Sequence, residues 1–384
     1  LIPANLLADD SVPSHAVNVL TTTVCQDVEV IGWLYQFYIS ERKDEVFAGF
    51  KKNKKAGADE IPAATQLFTP HWIVRYLVEN SLGRLWMLNH PSSRLVDQME
   101  YYIAPVDEET DFLKVGSPEE FKVIDPACGS GHMLTYAFDL LYAIYQEEGY
   151  APAEIPGLIL SNNLYGVEID PRAGALAAFA LTMKARAKQR MFFSKQVEPN
   201  VCALDPIRFT TDETDFLLTS GGDKYAEPAF WNQFEYANTL GSLILPDPEL
   251  TARLAQHVTQ LDDGGDMVLA NVLYRAKRVV VQAEVLSVSY HVVVANPPYL
   301  GSRKMDARLT AFARAQYPMG RQDLYSCFVQ RAIELVDPRG GVVAMILGDT
   351  WMSITSFEGF RRILLDNHAF ASFVHLHDVS NHPD

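Results

Sequence analysis

One stretch constrains this chain more than any other: His291-Val-Val-Val-Ala-Asn296-Pro297-Pro298-Tyr299. The apolar run before Asn296 reads as a buried strand. It ends in a polar amide, two rigid prolines and an aromatic ring. Open α/β sheets hold their ligands at the carboxyl ends of the strands. Residues Asn296 to Tyr299 are therefore placed to grip a ligand, and an amide beside an aromatic ring suits a planar base that carries an amine.

A second stretch supplies a partner site. Phe121-Lys-Val-Ile-Asp125-Pro126-Ala127-Cys128-Gly129-Ser130-Gly131 reads as a strand and a glycine turn, followed by a helix through Tyr136, Phe138, Leu140, Leu141 and Tyr145. Gly129 and Gly131 permit a tight turn and the approach of a ligand. The turn lacks the Gly-Lys-Ser/Thr ending of a phosphate-cradling loop. It also lacks the third glycine of a dinucleotide fingerprint, since Leu134 occupies that place. A ligand without a pyrophosphate fits better.

Asn163-Leu-Tyr165-Gly166-Val167-Glu168 reads as the second strand, and Glu168 at its end can accept hydrogen bonds from ribose hydroxyls. Asp170-Pro171 suits the cap of the helix that follows. Asn200 to Asp205 reads as a third strand that also ends in an acid, placed to meet the amino group of an adenine. Val342 to Leu347 and Ala371 to Leu376 read as two further strands. Alternation of strands and helices implies an α/β fold, with a largely parallel sheet and helices on both faces.

The remaining segments are less specific. Residues Asp27 to Phe50 carry apolar positions at helical spacing and read as one or two amphipathic helices, an N-terminal helical segment over residues 1–60. The run Lys51-Lys52-Asn53-Lys54-Lys55 is a solvated loop or a phosphate-contacting arm. In Phe68-Thr69-Pro70, Thr69 can cap a helix and Pro70 fits its first turn. Residues from about 91 to 120 read as a connector. Residues from about 207 to 289 change composition and read as a helical insertion between the third and fourth strands. Arg303, Lys304, Arg308, Arg314 and Arg321 then form a basic loop over 300–322.

The chain has 384 residues and a net charge of -16, which argues against a protein that coats nucleic acid but leaves room for a local basic groove. Its four cysteines are far apart, lack metal-ligand spacing and suit a reducing cytoplasm, so no metal is expected. No stretch approaches the apolar length of a membrane span. The start at Leu1 and the stop at Asp384 read as the ends of a piece of a larger protein.

Together these stretches resemble the S-adenosylmethionine-dependent adenine-N6 methyltransferases of DNA. Phe68-Thr69-Pro70 is similar to that family's methionine-binding motif, Asp125 to Gly131 to its cofactor loop, and Asn296 to Tyr299 to its catalytic motif. Ile61 to Pro70 and the long spacing resemble the PglX methyltransferases of BREX phage defence, with type I and type IIG restriction-modification subunits as relatives. The resemblance implies a Rossmann-like methyltransferase domain over 61–384, with the target-recognition domain absent. It implies that Phe68, Thr69, Pro70, Asp125, Pro126, Ala127, Gly129 and Gly131 hold the methionine part of S-adenosylmethionine. Glu168 would hold its ribose and Asp205 its adenine. Double-stranded DNA is the implied partner, with further subunits of a defence or restriction system. A flipped-out adenine would meet Asn296, Pro297 and Pro298, with Tyr299 against its face. The same Asn-Pro-Pro-Tyr string also serves methyltransferases of RNA and of protein glutamine. A DNA-sensing subunit that binds the cofactor without turnover is a further reading.

Overall fold

A computed structural model describes residues 8, 11–19, 21, 29–67 and 69–376. Five parallel strands form one sheet: β1 is Val123–Asp125, β2 Leu164–Glu168, β3 Asn200–Ala203, β4 Val292–Ala295 and β5 Val342–Met345. Their order across the sheet is β3-β2-β1-β4-β5. Val123 pairs with Leu164 on one side and with Val292 on the other. Position in the sheet explains the burial. The central strands β1 and β4 are buried at every residue, whereas the outer strands β3 and β5 are half-buried throughout.

Successive strand residues face opposite sides, so each central strand feeds two cores. Val292 and Val294 pack in one core with Trp86, Phe138 and Tyr145, and Val293 packs in the other with Trp231 and Phe234. The helices divide accordingly. Before the sheet come α1 (Val12–Val19), α2 (Glu29–Lys51), α3 (Ile61–Thr65), α4 (His71–Val78) and α5 (Arg84–Asn89). Between the first strands lie α6 (His132–Glu147), α7 (Ile155–Leu158) and α8 (Pro171–Lys188). Helices α4 to α8 build the core of one face.

After β3 the chain runs through α9 (Thr211–Leu217), α10 (Ala226–Asn232), α11 (Ala237–Leu240), α12 (Pro248–Gln260) and α13 (Met267–Ser287). The last two are joined by an exposed turn at Asp262–Gly265, where Gly264 and Gly265 take positive φ. Between β4 and β5 come α14 (Ala307–Gln316) and α15 (Leu324–Leu335), and after β5 come α16 (Thr350–Ser353) and α17 (Glu358–Asn367). Helices α9 to α15 build the core of the second face. The chain is a mixed α/β protein with a parallel sheet between two helical layers. Among the described residues no helix is long and apolar enough to cross a membrane.

Several sequence expectations are corrected. Residues 371–376 do not form a strand. Phe373, Val374 and Leu376 stay about half exposed, and the segment is held by side chains instead. Ser372 accepts a hydrogen bond from the Tyr76 hydroxyl at 3.0 Å, and Phe373 meets the Trp351 ring. The basic loop expected over 300–322 contains the ten-residue helix α14, which Asp306 caps by accepting from the Leu309 N–H at 2.7 Å. Of the one or two helices expected over Asp27 to Phe50, the structure shows one, Glu29–Lys51.

Candidate active site

The strand order reverses between β1 and β4, and the carboxyl ends of β1, β2 and β4 open on one cavity of about 870 Å³, its mouth included. Asp125, Pro126, Ala127, Cys128 and Gly129 supply one wall, Glu168 and Ile169 another, and Asn296 and Pro298 face them. Thr65, Gln66 and Thr69 line it from the segment before α4.

The Asn296 amide decides what the cavity can recognise. Its Nδ2 donates to the Thr69 hydroxyl at 3.0 Å. Its Oδ1 is buried and, among the described residues, has no hydrogen-bond partner. A buried acceptor without a donor costs about 1–3 kcal/mol, so this geometry is built to receive an N–H from a ligand. The Thr69 contact anchors the Nδ2 end of the amide and leaves Oδ1 for the cavity. The turn after it is braced as well. The Tyr299 hydroxyl donates to the Ile346 carbonyl at 2.7 Å, and the Leu300 N–H donates to Asp323 Oδ1 at 3.0 Å.

The opposite wall is acidic. Glu168 Oε1 accepts from the Ile169 and Asp170 N–H groups, both at 2.9 Å, and Oε2 accepts from the Gly129 N–H at 2.8 Å. Oε2 retains capacity for a further donor. Burial raises the Glu168 pKa while these three N–H groups oppose the shift. Asp125, 2% exposed, is pushed up to about 8 by burial, with one opposing bond from the Ala127 N–H and a further push from Glu168. Among the described residues no lysine or arginine lines the cavity. A phosphate would meet two acidic groups there and no countercharge from the described residues, whereas a ligand with a positive centre favours their ionised forms.

The glycine turn serves two purposes. Gly129 has φ +53°, and a Cβ added there would meet nothing nearer than the Gln66 side chain at 3.6 Å, so this position opens on the cavity. Gly131 has φ +89° and an added Cβ would lie 3.0 Å from the Ala177 Cβ. Its role is to let α6 approach α8, and it does not line the cavity. Cys128 is 5% exposed, and burial raises its thiol pKa, which leaves it neutral.

The structure brings Thr69, Asp125, Pro126, Ala127, Gly129, Glu168, Asn296 and Pro298 together. It does not bring all the expected residues. Asp205 lies off the cavity because its carboxylate pairs with Arg278 of α13. Pro70 is exposed, and it rather than Thr69 occupies the N-cap of α4. Pro297 is buried and Tyr299 half-buried, both outside the cavity wall, with the Tyr299 ring against Tyr325 at 5.7 Å. Phe68 lies outside the described residues. The five basic residues disperse: Lys304 lies over Phe50, Arg308 stacks on Tyr236, and Arg303, Arg314 and Arg321 are exposed.

Sequence reasoning missed Thr239, Leu240, Gly241 and Ser242, which line the cavity from the end of α11. Ser242 donates its hydroxyl to the Pro126 carbonyl, and Arg331 of α15 holds the Ser242 carbonyl at 2.8 Å. The only local signal was Gly241, whose φ of +55° marks the turn.

Comparison with known proteins places the chain in a family. An adenine-specific methyltransferase BrxX from Escherichia coli O9:H4 (strain HS) is 39% identical over 410 residues, covering 98% of this chain and 34% of that protein. An adenine-specific methyltransferase PglX from Lacticaseibacillus casei (strain Zhang) is 36% identical over 361 residues, covering 87% of this chain and 29% of that protein. The chain thus spans about a third of the length of these relatives. A cryo-electron-microscopy structure of a DrdV–DNA complex overlaps 85% of this chain and 24% of that one, at TM-score 0.42 and 17% identity, too loosely to carry an argument. Residues 162–381, more than half of the chain, match the Eco57I restriction-modification methylases, and the chain belongs to that family.

Proposed function

We propose that this chain carries the catalytic unit of an S-adenosylmethionine-dependent methyltransferase that modifies N6 of adenine in DNA, in a restriction-modification or phage-defence setting. The observation that carries this reading is the buried Asn296 Oδ1, unpaired among the described residues, facing a cavity whose described lining holds two acidic groups and no lysine or arginine. The donor set fits S-adenosylmethionine. Gly129 leaves room at the cavity wall, Glu168 keeps acceptor capacity for a ribose hydroxyl, and the acidic lining suits a sulfonium and an ammonium. When bound, S-adenosylmethionine supplies an electrophilic methyl group on a sulfonium.

Asn296 acts on the other reactant. The lone pair of adenine N6 is delocalised into the ring. Oδ1, accepting one N6 hydrogen, draws the nitrogen toward a tetrahedral shape and aims its lone pair at the methyl group. Alignment of this kind supplies much of the acceleration in a bimolecular transfer. Thr69 holds the amide in the productive orientation. An adenine within a duplex cannot reach a cavity at the sheet rim, so the base is extruded at a cost of a few kcal/mol. Tyr299, tied to Ile346, braces the turn that carries Asn296.

The test is incorporation of a tritiated methyl group into DNA, RNA and protein offered side by side. N6-methyladenine in DNA is expected. Label confined to RNA or to glutamine side chains would replace this reading with one of its alternatives. Asn296→Ala is expected to lower transfer to DNA on the order of a hundredfold or more, with affinity for S-adenosylmethionine nearly unchanged.

A further inference from the structure

The basic run after α2 and the basic pair after the catalytic turn are about 250 residues apart in sequence, yet they meet in space. Ala56 pairs with Met305 as an isolated parallel bridge, and the Ala56 N–H donates to the Lys304 carbonyl at 2.9 Å. The Lys304 ammonium lies 4.9 Å from the Phe50 ring centre and 5.7 Å from that of Phe47, so the end of α2 itself forms the seat for this lysine. Lys54 pairs with Glu60 at 2.5 Å. Lys51, Lys52, Lys55 and Arg303 are exposed, and among the described residues none of them makes an ion pair.

Both segments lead straight to the cavity. Ile61, Pro62 and Thr65 line it just after the lysine run, and Pro298 lines it just before Arg303. A fully extended chain spans at most 3.3–3.6 Å per residue, which puts Lys55 and Arg303 within about 20 Å of the cavity wall. Phosphates of duplex DNA recur every ~1.7 Å along the axis, so those flanking an extruded base fall in this range. The chain as a whole is acidic, with a net charge of -16, and repels a polyanion. The Ala56–Met305 bridge joins the segment that carries Lys51, Lys52 and Lys55 to the one that carries Arg303 and Lys304, and both segments continue into the cavity lining.

We infer that Lys51, Lys52 and Lys55 join Arg303 and Lys304 in one phosphate-binding surface that grips the DNA backbone beside the extruded base. This rests on the DNA reading above and extends the nucleic-acid surface to the N-terminal helix α2. The contacts are to phosphates, so they add affinity without sequence preference.

The experiment measures binding of the full chain to a fluorescent DNA duplex by anisotropy between ~50 and ~200 mM salt. Lys51→Ala, Lys52→Ala and Lys55→Ala are combined. The triple variant is expected to bind about tenfold or more weakly at ~100 mM salt, with the slope of log affinity against log salt reduced by about 2 to 3. Its affinity for S-adenosylmethionine should equal that of the parent, which excludes misfolding. Replacing the same three lysines by arginine should retain both DNA affinity and slope. An unchanged slope in the alanine variant, with a parent that binds and methylates DNA, overturns the surface and leaves the enzyme reading intact. A parent that neither binds nor methylates DNA overturns the DNA reading itself.

Discussion

At the scale of single residues, the Asp125 carboxyl makes the most direct statement about pH. Its folded pKa of about 8 lies above its ordinary value of 3.8. The folded chain therefore holds a proton that the unfolded chain has lost, and stability falls as pH rises through that interval. A positive ligand in the cavity favours the ionised form and draws the proton off. Binding of S-adenosylmethionine near pH 7 is thus expected to release a proton, and affinity should rise toward pH 8. Calorimetry in two buffers of different ionisation enthalpy reads the proton directly. Asp125→Asn should abolish the release, and a release that persists in that variant would remove Asp125 from this role. The two loop glycines separate in the same way. Gly129→Ala should weaken ligand binding several-fold. Gly131→Ala crowds Ala177 and forces a strained φ, so it should cost about 1–3 kcal/mol of stability, read from denaturant midpoints. The sequence made Asn296, Asp125 and Glu168 legible because each ends a strand beside a local motif. It could not show that Thr69 orients the Asn296 amide across 227 positions of chain. Nor could it show that Asp205 turns away, since Arg278 arrives from a helix 73 positions on.

At the scale of elements, α2 is fastened to the sheet by polar ties. The Tyr35 hydroxyl donates to Asp170 Oδ2 at 2.6 Å, Lys43 donates to the Gln66 carbonyl at 2.9 Å, and Arg172 reaches the Tyr38 hydroxyl at 3.1 Å. Asp170 also donates its N–H to Glu168, so the tie from Tyr35 ends one step from the cavity. A hydrogen bond to a charged acceptor contributes about 1.5–3 kcal/mol. Tyr35→Phe is expected to lower stability by roughly that amount and to weaken S-adenosylmethionine binding, with the maximal rate unchanged at saturating ligand. A fall in rate alone, at full affinity, would place Tyr35 elsewhere in the mechanism. The helical spacing of residues 29–51 was readable in sequence. Their partner was not, because the contact is set by the turn after β2 and not by any periodicity within α2.

At the scale of the whole molecule, the sheet separates two duties. Strands β1 and β2 and the turns after them hold the acidic wall, and β4 holds the amide. Parallel order, helices on both faces and the position of the cavity follow from short strand segments that end in polar turns and alternate with helices, and these were visible in the sequence. The strand expected at 371–376 was not resolved by pattern alone. A short apolar run becomes a strand only where an edge receives it, and here Tyr76 and Trp351 hold it by its side chains. The long passage from β3 to β4 has a practical consequence. It is interrupted by the exposed turn at Asp262–Gly265, where the backbone is a tolerated place to break. A gene divided there would encode one polypeptide with the acidic wall and a second with the amide. Neither piece could form the cavity, and packing of α12 on α13 with pairing of β1 to β4 would rejoin them. Such a pair would be a two-input switch, silent unless both halves are made in the same cell.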